Sequence, residues 1–170
     1  PPDARTTVTP IAPGQGQESV WDYPRPPRVD SSGEHVLVRF GGAVVCDTRA
    51  PIRVLETSHP PTYYLPVADF ASGALRSAEG RSLCEWKGWA AYFDVVGGDG
   101  RVAAAAAWSY HEPLPGFEPL RDHVAVYAAA MDECLVDGEL VEPQPGAFYG
   151  GWITSRVVGP FKGVPGSMGW

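Results

Sequence analysis

Residues 35–48 read HVLVRFGGAVVCDT. Apolar residues occupy alternate positions from Val36 to Phe40, which is the pattern of a strand with one buried face. The pair Gly41-Gly42 is a strong signal for a tight hairpin. The returning run is again apolar, with Val44 and Cys46 expected on one side and Cys46 as a small buried hydrophobe. This stretch therefore predicts an antiparallel hairpin at the start of a β domain.

Short apolar runs separated by glycine and proline turns continue along the chain. We expect strands over 52–56, 62–65, 90–96, 101–107 and 123–128, hairpins over 75–83 and 134–141, and one helical turn over 66–70. The tip of the hairpin over 75–83 is predicted at Glu79-Gly80. The alanine run 103–107 would favour a helix by propensity, but the tight turn before it favours a strand whose small side chains leave room for close packing or a pocket floor.

The composition supports one mostly β domain. The chain has 170 residues, 44% of them apolar, with 20 glycines and 18 prolines. This length suits a single core, and the glycine and proline content favours short strands over long helices. We predict an extended proline-rich segment over 1–28, a β domain over 29–142, and a Gly/Trp-rich segment over 143–170 packed on that domain. The predicted architecture is a small barrel or twisted sandwich with one or two short helical turns.

Charge and hydropathy exclude several classes of protein. The net charge of −7 argues against sequence-independent nucleic-acid binding. The sequence has no apolar run near eighteen residues, so we expect no membrane partner. Three widely spaced cysteines indicate reduced thiols and a cytoplasmic location. The absence of a Gly-x-Gly-x-x-Gly helix start and of a P-loop leaves no indication of a cofactor.

Residues 56–66 read ETSHPPTYYLP and form the strongest candidate site. Prolines restrict the backbone of this stretch, so the segment has few accessible conformations. The candidate side chains on it are Glu56, His59, Tyr63 and Tyr64. A stiff backbone that carries titratable groups suits a binding or catalytic site. The alternative is a rigid turn between two strands, with the tyrosines as ordinary packing.

A second candidate motif is Cys84 with Lys87, three residues apart and followed by Gly88. A nearby ammonium favours the thiolate form of cysteine, which is the nucleophile. With His59 as base and Glu56 orienting it, these residues would form a Cys–His–Glu relay. The alternative is a buried Cys84 with Lys87 reaching solvent.

Two further groups of residues are candidates for ligand contacts. Trp108 and Tyr110 share a strand face and would form an aromatic wall, or simply core. Arg25 and Arg28 lie in a polyproline-like stretch and would meet an anionic ligand, unless that stretch is only an anchored tail. A metal site built from His59, Cys84 and an acidic residue lacks the paired spacing of known zinc sites, so we expect no metal.

Four motifs in order resemble the domain of unknown function 427 family. They are ETSHPPTYYLP (56–66), CEWKG (84–88), AWSY (107–110) and VDG (136–138). The resemblance covers about residues 30–142, and the flanks ESVWDYPRPP (18–27) and GGWITS (150–155) resemble the extensions of longer actinobacterial-type members. It implies an all-β fold of the β-tent group.

The resemblance does not indicate which reaction, if any, the protein catalyses. Many β-tent relatives hold zinc with two Cys-x-x-Cys pairs, which are absent from this sequence. The family has sometimes carried a nucleotidyltransferase label, but no paired aspartates or basic glycine-rich loop here support that activity. Glu85 adds a negative charge beside Cys84, which opposes thiolate formation.

The leading hypothesis is a small-molecule enzyme acting on an anionic or carbonyl-bearing metabolite. Glu56 and His59 would transfer protons, Cys84 would act as nucleophile or acid, and Lys87 would hold an anionic group. The alternative is a non-catalytic ligand-binding module that uses the same pocket. A third hypothesis is an interaction protein whose tryptophan-rich tails mediate homodimer contacts.

Overall fold

The computed structural model describes residues 8–170, so the part of the N-terminal segment before residue 8 lies outside the described residues. Strands dominate this range. In chain order they are β1 (Glu18–Ser19), β2 (Arg28–Ser31), β3 (Val36–Phe40), β4 (Ala43–Thr48), β5 (Ile52–Leu55), β6 (Thr62–Pro66), β7 (Leu75–Cys84), β8 (Gly88–Val96), β9 (Val102–Ser109), β10 (His123–Val126), β11 (Glu133–Val136), β12 (Glu139–Leu140), β13 (Glu142–Pro143), β14 (Trp152–Ile153) and β15 (Val157–Val158).

The helical content consists of short 3-10 turns. They span Val20–Asp22, Val67–Asp69, Glu118–Leu120 and Ala128–Ala130. The mostly β fold with short helical turns is therefore confirmed, with four such turns within residues 8–170 where one or two were expected. In the same range, no helix has the length and apolar character needed to cross a membrane.

A seven-stranded antiparallel sheet carries most of the structure. Its strand order is β2-β5-β6-β10-β9-β8-β7. The strands expected over 52–56, 62–65, 90–96, 101–107 and 123–128 all belong to it. The alanine run is the strand β9, which pairs with β8 on one side and β10 on the other. Tertiary pairing thus overrides the helix propensity of alanine.

The hairpin predicted over residues 35–48 forms β3 and β4 of a second, four-stranded sheet. Gly41 and Gly42 both have positive φ at its turn, which glycine adopts without strain. The register shifts within the hairpin, so Val38 faces Cys46 while Arg39 faces Val44. Because of this bulge, Val44 is exposed, and Val45 is buried together with Cys46; the expected pairing of Val44 and Cys46 on one side is wrong.

The main core lies between the two larger sheets. Val36 and Val38 of β3 pack there with Leu65 of β6 and Val124 of β10. The other face of the seven-stranded sheet has its own apolar cluster, which includes Tyr64. Successive side chains of a strand point to opposite faces, so Tyr63 enters the main core while Tyr64 enters the second cluster.

The segment over 75–83 is one long strand, β7, and not a hairpin. Its neighbour β8 pairs along both ends of β7, and the register shifts between Ser77 and Arg81. Gly80, with φ near +93°, lies in this irregular stretch. Glycine there permits a bulge in a continuous strand, which the sequence alone does not distinguish from a turn.

Both terminal segments pair with each other and with the domain. β1 and β15 form a two-stranded parallel sheet, and β13 pairs with β14. The indole of Trp152 in β14 is buried in the main core and donates to the carbonyl of Val126 at 3.1 Å. The chain before β2 and the chain after β12 are thus held against one another.

Candidate functional site

A cavity of about 350 Å³ opens on the face of the seven-stranded sheet that carries Tyr64. Its walls come from the turn between β5 and β6, the hairpin between β7 and β8, strand β9 and the C-terminal segment. The predicted site residues that line it are Glu56, His59, Tyr64, Cys84, Lys87, Trp108 and Tyr110. Separate parts of the sequence therefore meet in one cavity.

The turn over 56–61 is fixed from both sides. Ser58 has a φ of 69° and is fully buried, and its N–H donates to the carbonyl of Val20 at 3.0 Å. From the other side, the N–H of Lys162 donates to the Ser58 carbonyl at 2.8 Å. The proline-stiffened turn therefore depends on the terminal segments for its conformation.

Glu56 is the main anionic group of the turn. Arg25 Nε donates to Glu56 Oε2 at 3.4 Å, and His59 Nε2 lies 3.4 Å from the same oxygen. Burial alone would raise the pKa of Glu56, but the interaction with His59 and the positive charges of Lys87 and Arg25 hold that pKa below its ordinary value. The carboxyl group is therefore ionised at neutral pH.

His59 contacts a residue that the sequence analysis missed. The side chain of Gln144, which is 4% exposed, places its Nε2 3.1 Å from His59 Nδ1. The same Nε2 donates to the Lys162 carbonyl at 2.9 Å, and Gln144 Oε1 accepts from the Gly151 N–H at 3.0 Å. No signal in the sequence marked Gln144, because nothing local relates it to a turn 85 residues away.

Cys84 and Lys87 flank the hairpin between β7 and β8. Gly88 has a φ of 107° at the end of this turn, and the Lys87 carbonyl accepts from the N–H of Leu114 at 3.0 Å. The Lys87 ammonium lies 5.6 Å from the centre of the Tyr110 ring, within the range of a cation–π contact. Burial would lower the pKa of Lys87, but its neighbours Tyr64, Cys84 and Glu56 raise it, so the side chain stays cationic.

Aromatic side chains form the floor of the cavity. Trp108 Nε1 donates to the Tyr64 hydroxyl at 3.3 Å, and the two rings meet edge to face. The ring centres of Tyr64 and Tyr110 are 6.2 Å apart. Burial raises the pKa of Tyr110 far above its ordinary value, so this phenol is neutral. The floor can offer apolar surface and hydroxyl groups to a ligand.

The C-terminal segment contributes Tyr149 and Lys162, which the sequence analysis also missed. The Tyr149 ring meets the His59 imidazole edge to face at 5.1 Å. The Lys162 ammonium donates to the Trp170 carbonyl at 3.2 Å. Burial and the nearby charge of Arg25 lower the pKa of Lys162. The glycine-rich sequence of this segment gave no indication that it closes the cavity.

A second cavity of about 310 Å³ lies beside the first. The residues that line it include Ala104, Ala105 and Ala106 of β9. The two cavities share lining residues, namely Tyr127, Gln144, Tyr149 and Gly150.

Three predicted ligand contacts lie outside the cavity wall. The ring of Tyr63 stacks on that of Trp152 in the main core, with 5.1 Å between the ring centres. Its hydroxyl group donates to Glu34 Oε1 at 2.9 Å. Arg28 is exposed and forms an ion pair with Asp30 at 3.1 Å. Arg25 lies behind Glu56 and supports that carboxylate instead of overhanging the cavity. Strand alternation accounts for Tyr63, since its neighbour Tyr64 takes the cavity side.

The proposed Cys–His–Glu relay is not assembled as expected. Among the described residues, no hydrogen bond joins Cys84 to His59, whose two ring nitrogens face Gln144 and Glu56. Cys84 is half-buried, and the other two cysteines are fully buried. Over residues 8–170, no group of three or more His, Cys, Asp or Glu side chains is arranged to hold a metal ion.

Comparison with known proteins gives a family without a stated activity. No curated protein matches the chain. A family model described as a domain of unknown function (DUF427) matches residues 28–137. The match includes Glu56, His59, Cys84 and Lys87, whereas Arg25, Gln144 and Lys162 lie outside it. Because the match covers well over half of the chain, this protein belongs to the domain of unknown function 427 family.

Proposed function

We propose that this protein is an enzyme that acts on a small anionic or carbonyl-bearing metabolite in the cavity of about 350 Å³. The observation that carries the proposal is the meeting of an ionised Glu56, His59, Cys84 and a cationic Lys87 over an aromatic floor. Titratable groups gathered in a concave site are typical of acid–base catalysis.

Each residue has a role in this proposal. Glu56 and His59 form the proton-transfer pair, and Cys84, half-buried in the wall, acts as nucleophile or acid. Lys87 anchors the anionic group of the substrate, and Lys162 adds a second positive charge to the wall. The charge of Glu56 is already engaged by Arg25 at 3.4 Å, so the two lysines supply attraction for an anion.

A binding module that does no chemistry is the second candidate. The aromatic floor of Tyr64, Trp108 and Tyr110 favours it, because buried rings with a polar edge hold a ligand without any proton transfer. The β-tent grouping, the actinobacterial-type flanks and homodimer contacts through the tails stay predictions from the sequence.

A metabolite-extract experiment tests the proposal and separates the two candidates. The wild-type protein is incubated with the extract, and both bound and consumed compounds are identified by mass spectrometry. We expect Lys87→Met to lose the bound anion, and Glu56→Gln to retain binding but lose turnover by a factor of at least about 100. Arg28→Met, which changes an exposed cation that does not line the cavity, is the matched control. Binding without consumption would favour the binding module, and no bound compound would overturn both candidates.

A further inference from the structure

The hydrogen bonds of Gln144 determine which of its side-chain atoms faces His59. Its Oε1 accepts from the backbone N–H of Gly151 at 3.0 Å, and its Nε2 donates to the backbone carbonyl of Lys162 at 2.9 Å. A backbone N–H can only donate and a carbonyl can only accept. The side-chain amide is therefore oriented by two groups of fixed polarity, and it presents an N–H to the imidazole.

This orientation selects one form of His59. Nδ1 lies 3.1 Å from Gln144 Nε2, so Nδ1 must accept and carry no proton. A neutral imidazole then has its proton on Nε2, the atom that lies 3.4 Å from Glu56 Oε2. Protonation of Nδ1 would set two donors against each other in a largely buried place, which costs free energy.

The charged groups around the imidazole lie on several elements. The titratable and charged neighbours of His59 are Glu56 on its own turn, Arg25 behind Glu56, Lys87 and Lys162 in the cavity wall, and Tyr149, whose ring centre lies 5.1 Å from that of the imidazole. Of these groups, the Glu56 carboxylate faces Nε2 at 3.4 Å and favours a proton on that nitrogen.

We infer that Gln144 holds His59 as the neutral Nε2–H tautomer and thereby makes Glu56, not His59, the group that accepts a proton in the cavity. Arg25 and His59 both face Glu56 Oε2, and no described residue donates a hydrogen bond to Oε1. Oε1 is thus the atom available to take a proton from a bound molecule. His59 acts as a positioning residue, and the assignment of Glu56 as the acceptor rests on the proposed function.

The first test measures the tautomer directly. Long-range proton–nitrogen NMR spectra of the wild-type protein, labelled with nitrogen-15 histidine, report the protonation of both ring nitrogens. We expect an unprotonated Nδ1 and a protonated Nε2 for His59 at neutral pH. An imidazolium or an Nδ1–H tautomer would overturn the inference. This NMR measurement requires no enzymatic activity, so its result stands even if the proposed function is wrong.

A variant extends the test. Gln144→Glu keeps an oxygen for the Gly151 N–H and replaces the donor with a carboxylate, which can accept a proton from Nδ1. We expect the proton of His59 to move to Nδ1 in this variant, so that the spectra show a protonated Nδ1. A general loss of structure would not produce that change, because a histidine released to solvent has no acceptor that fixes its proton on Nδ1. The half-buried His123 of β10, which has no contact with Gln144, serves as an internal control within the same spectra. A His59 Nδ1 that stays unprotonated in folded Gln144→Glu would contradict the role of Gln144.

The second test concerns the acceptor and applies to a substrate found in the metabolite screen. We expect His59→Gln to reduce turnover by less than Glu56→Gln does. Rate loss on the acidic side should follow the titration of Glu56, measured by carbon-13 NMR of the carboxylate. A rate that instead follows the His59 titration would overturn the assignment of Glu56 as acceptor.

Discussion

Arg25 Nε donates to Glu56 Oε2 at 3.4 Å, although Arg25 lies outside the family match and Glu56 lies within it. The same guanidinium donates to the carbonyl of Thr57 at 3.0 Å and that of Trp170 at 3.1 Å. One side chain of the N-terminal segment therefore connects the turn over 56–61 with the C-terminal segment. The conformation of the site depends on chain that the family description does not include.

Arg25→Met should destabilise the protein, because it leaves a partly buried carboxylate and carbonyls without their donor. We expect a loss of about 1–3 kcal/mol in the free energy of unfolding, measured by urea denaturation. Arg28→Met is the matched control, since its ion pair with Asp30 is exposed and should contribute at most about 1 kcal/mol. Equal losses in the two variants would show that the Arg25 contacts add no special stability.

The lowered pKa of Glu56 predicts a particular dependence of stability on pH. Because the folded state holds this proton less tightly than the unfolded chain, the stabilisation is present above the ordinary pKa of about 4.5 and is lost as pH falls through the folded pKa. Glu56→Gln should therefore cost about 1–3 kcal/mol at pH 7, and the difference from wild type should shrink below about pH 4.5.

The control for this measurement is Glu79→Gln on the exposed part of β7. It should change the free energy of unfolding by no more than about 0.5 kcal/mol throughout the same pH range. A Glu56→Gln difference that stays constant with pH would mean that packing, and not the charge, accounts for the loss.

The three cysteines should react very differently with a thiol reagent. Burial raises the pKa of both Cys46 and Cys134 to about 12, and each side chain is 1% exposed. Cys84 is half-buried in the cavity wall. We expect iodoacetamide to label Cys84 alone in the folded protein at pH 8, and all three cysteines in denaturant. Peptide mass spectrometry identifies the labelled residue, and Cys84→Ser should abolish labelling of the folded state. Rapid labelling of Cys46 or Cys134 would contradict the packing.

Local sequence signals predicted much of the fold because tight turns are local. Gly41-Gly42 joins β3 to β4, and Asp137-Gly138 joins β11 to β12. The prediction of a hairpin tip at Glu79-Gly80 was wrong because a bulge and a turn both use glycine at positive φ. Only the pairing with strand β8 distinguishes the two.

The site was predictable where one face of a strand brings residues together, and not where the chain returns from a distance. Trp108 and Tyr110 share a face of β9 and its continuation, which the alternation of side chains indicates. Gln144 reaches His59 across 85 residues through a loop that has no periodic pattern. The prediction of His59 as base and Glu56 as its orienter was made without this contact from the C-terminal segment. With the contact included, the two roles that we propose are reversed.

The close approach of Gly150 to Trp108 gives a test of how that segment closes the cavity. A Cβ atom on Gly150 would lie 2.2 Å from Trp108 Cη2, far inside van der Waals contact. Gly150→Ala should push the loop away from the indole, at a cost of about 1–3 kcal/mol in the free energy of unfolding. The near-ultraviolet circular dichroism of the tryptophans should change with it. Gly33→Ala is the matched control, because its Cβ would meet no atom within 4 Å, and its effect should stay within about 0.5 kcal/mol. If Gly150→Ala kept both the stability and the tryptophan spectrum of the wild type, the loop would not rest on Trp108, and the cavity would be open on the side of the C-terminal segment.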